Sequence, residues 1–259
     1  ELGISATTVR RIAKRDLGLT SFKRVPVQIV NNATKAKRLV RCQQLKNRLT
    51  TDVLKRVFFT DEKVFHLDPP FNRQNDRVWS AGRKLSIETS RLLKERAKFS
   101  PRVMVSAGIC FHGKGRLHFV DEAAKINSAY YVNSLLPKLM EDAESLVGEN
   151  FIFQQDGAPA HTSRQSQDWI RQKNPLFIAK DEWPPNSPDL NPLDFCIWGV
   201  MLQHYEKVQP KPSNPAELRA ILQRIWDSLP HQLIENAVLS VQKRLHLCIK
   251  ENGGHFQHL

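Results

Sequence analysis

Near residue 56 the spacing of apolar residues changes from a helical period to short continuous or alternating runs, and this change limits the fold more than any other feature of the chain. Upstream, Leu39, Cys42, Leu45 and Leu49 recur at helical spacing and predict a basic helix from about Ala33 to Leu49. Downstream, Val57-Phe58-Phe59, Val64-Phe65-His66-Leu67, Val103 to Ile109, Arg116 to Val120 and Phe151-Ile152-Phe153 read as strands, being short and rich in β-branched and aromatic residues. Helical patterns run from Tyr130 to Leu146 and from near Thr162. Two more close the chain, one lined by Leu218, Ile221, Leu222, Ile225 and Trp226, the other by Ile234, Ala237, Val238, Val241 and Leu245. Strands first, then strands alternating with helices, predict an α/β domain with a mixed sheet flanked by helices.

The chain has 259 residues, 41% of them hydrophobic, which is enough for an ordinary buried core. Its longest apolar stretches, such as Val103 to Phe111, fall well short of the roughly 20 residues of a membrane span. Position 1 is Glu, and no charged start followed by an apolar segment marks a secretory signal, so the natural N-terminus is expected upstream. Cys42, Cys110, Cys196 and Cys248 are scattered without zinc-site spacing, as expected of reduced core thiols in a cytosolic or nuclear protein.

Charge is unevenly placed. Residues 1–57 hold 14 Lys and Arg against 3 Asp and Glu, a net of +11 out of +13 for the whole chain. A second basic block, residues 69–102, has nine Lys and Arg against Asp76, Glu88 and Glu95. A basic arm on a nearly neutral body suits a polyanion, because neutralised phosphates release counterions; the bland alternative is a solvated surface. The opening segment resembles the turn and second helix of a helix-turn-helix: Gly3 for the turn, Ser5 as a cap, Val9 and Ile12 as an apolar face. Thr7, Arg10, Arg11 and Lys14 then face outward toward a major groove, with Lys23 and Arg24 following. These considerations divide the chain into a DNA-binding remnant at 1–20, a basic segment at 21–55 with a Val25–Val27 linker and a helix, and an α/β body at 56–259.

Three acids stand where elements are predicted to begin or end: Asp61 after Phe58-Phe59-Thr60, Asp156 after Phe151 to Gln155, and Asp194 behind Asn191-Pro192. Asp194 has a structural explanation, since an acid in the first turn of a helix opened by Pro favours the helix dipole. Phosphodiester chemistry gives another: two Mg²⁺ ions about 3.5 to 4 Å apart take carboxylate oxygens from separate elements. Asp189 is a rival third ligand or a brace for its loop, and His161 could approach a phosphate or merely bond to the backbone where the next helix starts. Glu62 is expected in solvent or behind the ligands, and Trp183 in the core or stacked on a base.

The blocks Thr60-Asp61-Glu62-Lys63, Gln154-Gln155-Asp156-Gly157-Ala158-Pro159-Ala160-His161 and Ser187-Pro188-Asp189-Leu190-Asn191-Pro192-Leu193-Asp194 occur in the order and style of the mariner superfamily of transposases, which the chain resembles over nearly its whole length. Between Asp61 and Asp156 lie 94 residues, and between Asp156 and Asp194 lie 37, resembling branches with a lengthened last spacing and a third Asp in place of Glu. The resemblance implies a ribonuclease-H-like fold and a catalytic, metal-holding triad of Asp61, Asp156 and Asp194. It implies two Mg²⁺ ions with Mn²⁺ able to substitute, and His161 as an active-site neighbour. It further implies cut-and-paste transposition on double-stranded DNA, both terminal repeats and target, by a homodimer in the nucleus, with residues 69–102 where relatives carry a clamp between protomers. The alternatives are a domesticated transposase that only binds DNA, and a nuclease acting on RNA in a hybrid.

Overall fold

The computed structural model describes residues 5–20, 30–67, 88, 100–121, 126–174 and 176–256. The Val25–Val27 turn, Lys23, Arg24 and nearly all of the basic block at 69–102 lie outside the described residues.

The sheet contains β1 (Val57–His66), β2 (Arg102–Cys110), β3 (Gly113–Lys114), β4 (His118–Phe119) and β5 (Ile152–Gln154). The order is β3-β2-β1-β5, with β4 also paired to β2. β2 runs antiparallel to β1, setting Asp61 opposite Ala107 and Glu62 opposite Ser106. β5 runs parallel to β1, setting Val57 opposite Ile152 and Phe59 opposite Gln154. The sheet is therefore mixed, as expected. Two segments of the sequence reading merge: Val57–Phe59 and Val64–Leu67 were expected as separate strands, but the polar Thr60 to Lys63 stay in the ladder opposite Gly108 to Val105. Asp61 thus lies in mid-strand rather than after one. Conversely, the expected strand Arg116 to Val120 shortens to His118–Phe119, with Val120 N still donating to Met104 O of β2 at 2.9 Å, while at its start the Arg116 N–H goes to Asp142 Oδ2 at 3.0 Å.

Alternation along β1 sends side chains to two cores. On one face Val57, Phe59 and Phe65 pack with Val103, Val105, Ala107 and Ile109 of β2. That face is covered by α2 (Asn32–Arg48), α8 (Trp198–Lys207), α9 (Pro215–Ser228) and α10 (His231–Lys250). On the other, Phe58 and Phe153 pack under α5 (Leu136–Val147), preceded by α4 (Ser128–Tyr130) and a wide turn at Tyr131–Leu135, and under α7 (Arg164–Lys173). The short α3 (Thr51–Leu54) and α6 (Pro159–Thr162) precede β1 and α7. Gly108 is required here: a Cβ at that position would overlap the Phe58 ring. The apolar residues predicted for α10 are all buried, and Asn214 caps α9 by accepting from Glu217 N at 2.9 Å. Cys42, Cys110 and Cys248 are buried and Cys196 half-buried, all as free thiols. Among the described residues no helix is long and apolar enough to cross a membrane.

At the start of the chain, α1 (Ala6–Arg11) runs on through a wide turn at Ile12–Asp16, and Ser5 Oγ accepts from Thr8 N at 3.1 Å as expected of a cap. Its expected apolar face is not covered among the described residues: Val9 is 43% exposed and Ile12 only half-buried. The basic helix α2 departs further from expectation. Arg38 is fully buried, and Arg41 and Arg48 donate to Trp183 O at 2.8 Å and Glu182 Oε1 at 2.6 Å. Three of its cations therefore hold the protein's own loop, so not all of the arm's charge is available to a polyanion.

Candidate active site

Asp61 points from β1 into the face covered by α8. Its Oδ2 accepts the indole N–H of Trp198 at 2.6 Å, and the residue is 8% exposed. Burial, then the charges of Asp194 and Glu62, push its carboxyl up to about 8, against a smaller lowering by Trp198. Asp194 stands in a wide turn, Leu193–Ile197, that leads directly into α8. Such π-type turns let a helix re-aim one side chain without ending. Asp194 shares a hydrogen bond with Asp61, and burial outweighs the nearby Lys63 to push its carboxyl up to about 6.

Asp156 lies just beyond β5, where parallel pairing to β1 brings the chain alongside Thr60 and Asp61. Its Oδ1 accepts from Ala158 N at 3.0 Å and bonds His161 Nδ1 at 2.5 Å. Burial alone would raise this carboxyl; the His161 hydrogen bond and charge outweigh it and hold it below the usual range. The other ring nitrogen of His161 lies 3.3 Å from Glu62 Oε2, and the ring stacks on Tyr131 with centroids 4.2 Å apart. Burial disfavours the His161 cation, but two carboxylates more than compensate and push its pKa up to about 10. Both ring nitrogens are thus engaged by carboxylates, which favours the charged imidazole and leaves neither nitrogen facing the cleft as a free acceptor.

The loop between Trp183 and Asp194 completes the arrangement. Asp156, Asp194, Trp183, Asn186, Ser187 and Asn191 line a cleft of about 340 Å³, with Asp61 lying deeper. A depression of about 470 Å³ around Arg116 and Asp142 lies elsewhere; those two pair at 2.5 Å, and Glu141 is 2.5 Å from the same guanidinium. Asn191 Nδ2 donates to Thr60 O at 3.0 Å while its Oδ1 accepts from Leu193 N at 3.1 Å. Arg38 donates to Asn186 O at 2.7 Å, Ser187 Oγ at 2.5 Å and Asp189 Oδ2 at 2.7 Å. Arg244 adds a bond to Asp189 O at 2.7 Å. Asp189 thus braces the loop from behind. Trp183 is core, edge-on to Phe59.

Of the residues singled out from sequence, Asp61, Asp156, Asp194 and His161 come together. Thr7, Arg10, Arg11 and Lys14 are exposed on or just beyond α1. Of the two places expected for Glu62, the structure gives the one behind the ligands: it is half-buried, faces His161 and accepts from Ser106 Oγ at 3.0 Å. Trp198, Asn191 and Arg38 were missed. Trp198 follows Asp194 by four residues, which on a helix means the same face; Arg38 continues the stripe of Cys42, Leu45 and Leu49, an unusual place for a cation.

The donor set suits a hard divalent cation: carboxylate oxygens from three elements, two of them crowded enough to retain a shared proton that a cation would replace. Among the described residues no group of three acidic, His or Cys side chains is placed to hold a metal ion as it stands; Trp198 engages one oxygen of Asp61 and His161 one of Asp156.

No protein-family profile matches the chain. It is similar to the Tc3 transposase of Caenorhabditis elegans, 29% identical over 253 residues that span 98% of this chain and 72% of the relative. The Tcb2 transposase of Caenorhabditis briggsae is 30% identical over 148 residues, 56% of this chain and 50% of that protein. Among solved structures, the Mos1 mariner paired end complex with Mn aligns over 98% of this chain and 72% of its own, with a TM-score of 0.81 and 18% identity. The isolated catalytic domain of Mos1 mariner transposase aligns over 90% of this chain and all of its own, with a TM-score of 0.69 and 17% identity. At such identity the structural likeness shows the fold, which is that of the Mos1 catalytic domain, with a mixed sheet between helices as in ribonuclease H. Mos1 structures are described with Mg and with Mn. Similarity to Tc3 over 98% of this chain, together with the fold of Mos1, supports a mariner/Tc1-type DNA transposase.

Proposed function

We propose that this chain is a cut-and-paste transposase: it hydrolyses the DNA backbone at transposon ends and joins the freed 3′ hydroxyl to target DNA. The observation that carries the reading is the convergence of three carboxylates: Asp156 and Asp194 line one cleft, and Asp61 lies close enough for its charge to act on both. Asp61, Asp156 and Asp194 would hold Mg²⁺, or Mn²⁺ in its place, as a pair of ions. Bound there, such ions activate the attacking oxygen and stabilise the leaving one. The chain's own residues do the positioning: His161 fixes Asp156, Asn191 ties the Asp194 loop to β1, and the cleft wall from Asn186 to Asn191 gives the DNA strand a surface to lie on. His161, bonded through both nitrogens to Asp156 and Glu62, serves to hold Asp156 rather than to act as a base.

Thr7, Arg10, Arg11 and Lys14 with Lys23 and Arg24 would bind DNA, in a segment at 1–20 followed by a basic linker at 21–55 and the catalytic body at 56–259. The paired ends and strand-transfer assembly named for Mos1 support a homodimer on DNA here, and a substrate in chromosomes requires entry to the nucleus. The test is incubation with plasmid DNA in Mg²⁺ or Mn²⁺ beside an Asp156→Ala variant. Cleavage by the natural sequence and none by the variant is expected. Binding without cleavage points to a domesticated DNA-binding protein, and a preference for RNA–DNA hybrid over duplex points to a different nuclease.

A further inference from the structure

We infer that Trp198 is a positioning residue for the cutting reaction: its indole N–H fixes which oxygen of Asp61 is left to face the other carboxylates. The inference rests on the function proposed above. A carboxylate rotates readily about its last torsion and offers either oxygen. At Asp61 that freedom is removed, because Oδ2 accepts from Trp198 Nε1 at 2.6 Å. An indole donates only, and cannot accept or give up its proton at ordinary pH, so it holds this oxygen whether or not Asp61 is ionised.

The geometry also ties this contact to Asp194. Trp198 is four residues beyond Asp194, at the point where the wide turn becomes α8. One helical segment therefore brings both an acid and a neutral donor against the same carboxyl group. The ring is locked in place, 1% exposed, with Phe65 edge-on at 6.3 Å and Trp226 at 6.1 Å between centroids. Core packing alone would explain the ring. It does not explain why a buried N–H is given to a mid-strand aspartate that neighbouring charges already crowd.

The decisive comparison is Trp198→Phe against Trp226→Phe. Both keep an aromatic ring and lose one indole hydrogen bond, but that of Trp226 goes to Gly115 O at 2.9 Å, away from the acids. Titration with Mn²⁺ alone, followed by calorimetry without DNA, reads the site directly. Partners that orient a metal-binding side chain typically matter by about 10- to 100-fold. Trp198→Phe is expected to weaken Mn²⁺ binding by that factor and to lower kcat for DNA cleavage with DNA affinity unchanged, while Trp226→Phe alters neither. A Trp198→Phe protein with natural Mn²⁺ affinity and rate overturns the inference. If Trp198→Phe fails to fold, the natural protein still decides. Of the five tryptophan indole N–H signals in a ¹⁵N spectrum, Mg²⁺ should move the one that Asp61→Asn also moves, and no such shift overturns the inference. Failure of the natural protein to cut any DNA while the Mn²⁺ titrations behave as expected would sink the proposed function and leave only the orienting of Asp61 toward a metal by Trp198.

Discussion

Asn191 Nδ2 donates to the carbonyl oxygen of Thr60 at 3.0 Å, so a single buried side chain links the loop that carries Asp194 to the strand that carries Asp61. Its Oδ1 at the same time accepts from Leu193 N, the residue before Asp194. Replacing Asn191 with Ala leaves a buried carbonyl and an N–H short of partners, a loss of about 1 to 3 kcal/mol. Urea denaturation of Asn191→Ala should show that loss, and cleavage should fall more than folding does. A variant that cuts normally despite reduced stability would mean that the linkage serves the fold alone.

Arg38 anchors the same loop from within the core, bonding Asn186, Ser187 and Asp189 and, at its Nε, Gly253 O at 2.9 Å. Removing one partner of a buried ion pair leaves the other uncompensated, at about 3 to 5 kcal/mol. Arg38→Met is expected to lose that much, and Arg38→Met with Asp189→Leu to recover part of it. Equal stability of the single and double variants would place the energy in the backbone bonds rather than the pair.

The crowded acids predict how metal-free stability depends on pH. Burial first, then like charge, raises Asp61 from 3.8 to about 8 and Asp194 from 3.8 to about 6. A raised folded pKa contributes stability that is complete below the unfolded value and is lost as pH rises through the folded one. His161, raised from 6.5 to about 10, acts in the same direction at higher pH. Asp156, lowered, contributes the reverse, and its share is lost on acidification. Urea midpoints measured without metal should therefore fall between pH 6 and pH 9, and Asp61→Asn should flatten the part ending near pH 8. Parallel profiles for the two proteins would contradict the crowding.

The periodicity of the sequence made the sheet and both core-facing tail helices legible, because Val57, Phe59, Leu218 and Val238 occupy positions that only one face can bury. It misjudged Thr60 to Lys63, polar residues whose strand conformation depends on partners in β2 some 40 positions away. The three aspartates were visible through motif resemblance. Trp198 and Asn191 were not, since each acts on a residue more than 130 positions distant, a separation of 137 for Trp198 and 131 for Asn191. Charge misled at α2, where Arg38, Arg41 and Arg48 face the protein's own loop.

That correction changes the expected dependence of DNA binding on salt. Each phosphate neutralised contributes about 0.9 to the slope of log affinity against log salt. Replacing Arg10, Arg11 and Lys14, all exposed, with Ala should lower the slope by up to about 2.7. Replacing Arg41 and Arg48 should leave it nearly unchanged. A larger fall from the α2 pair would show that those cations leave their loop partners to meet DNA.

The proposed function requires that Asp194, and not the neighbouring Asp189, complete the cutting site with Asp61 and Asp156. Cleavage of plasmid DNA in Mg²⁺ by Asp194→Asn and Asp189→Asn, with thermal melting of each, separates the two. Asp194→Asn should melt at or above the natural temperature, because it relieves a repelling carboxylate, and should cut no DNA. Asp189→Asn, which loses its charge to Arg38, should melt lower and still cut while folded. An Asp194→Asn protein that cuts at nearly the natural rate would contradict the assignment.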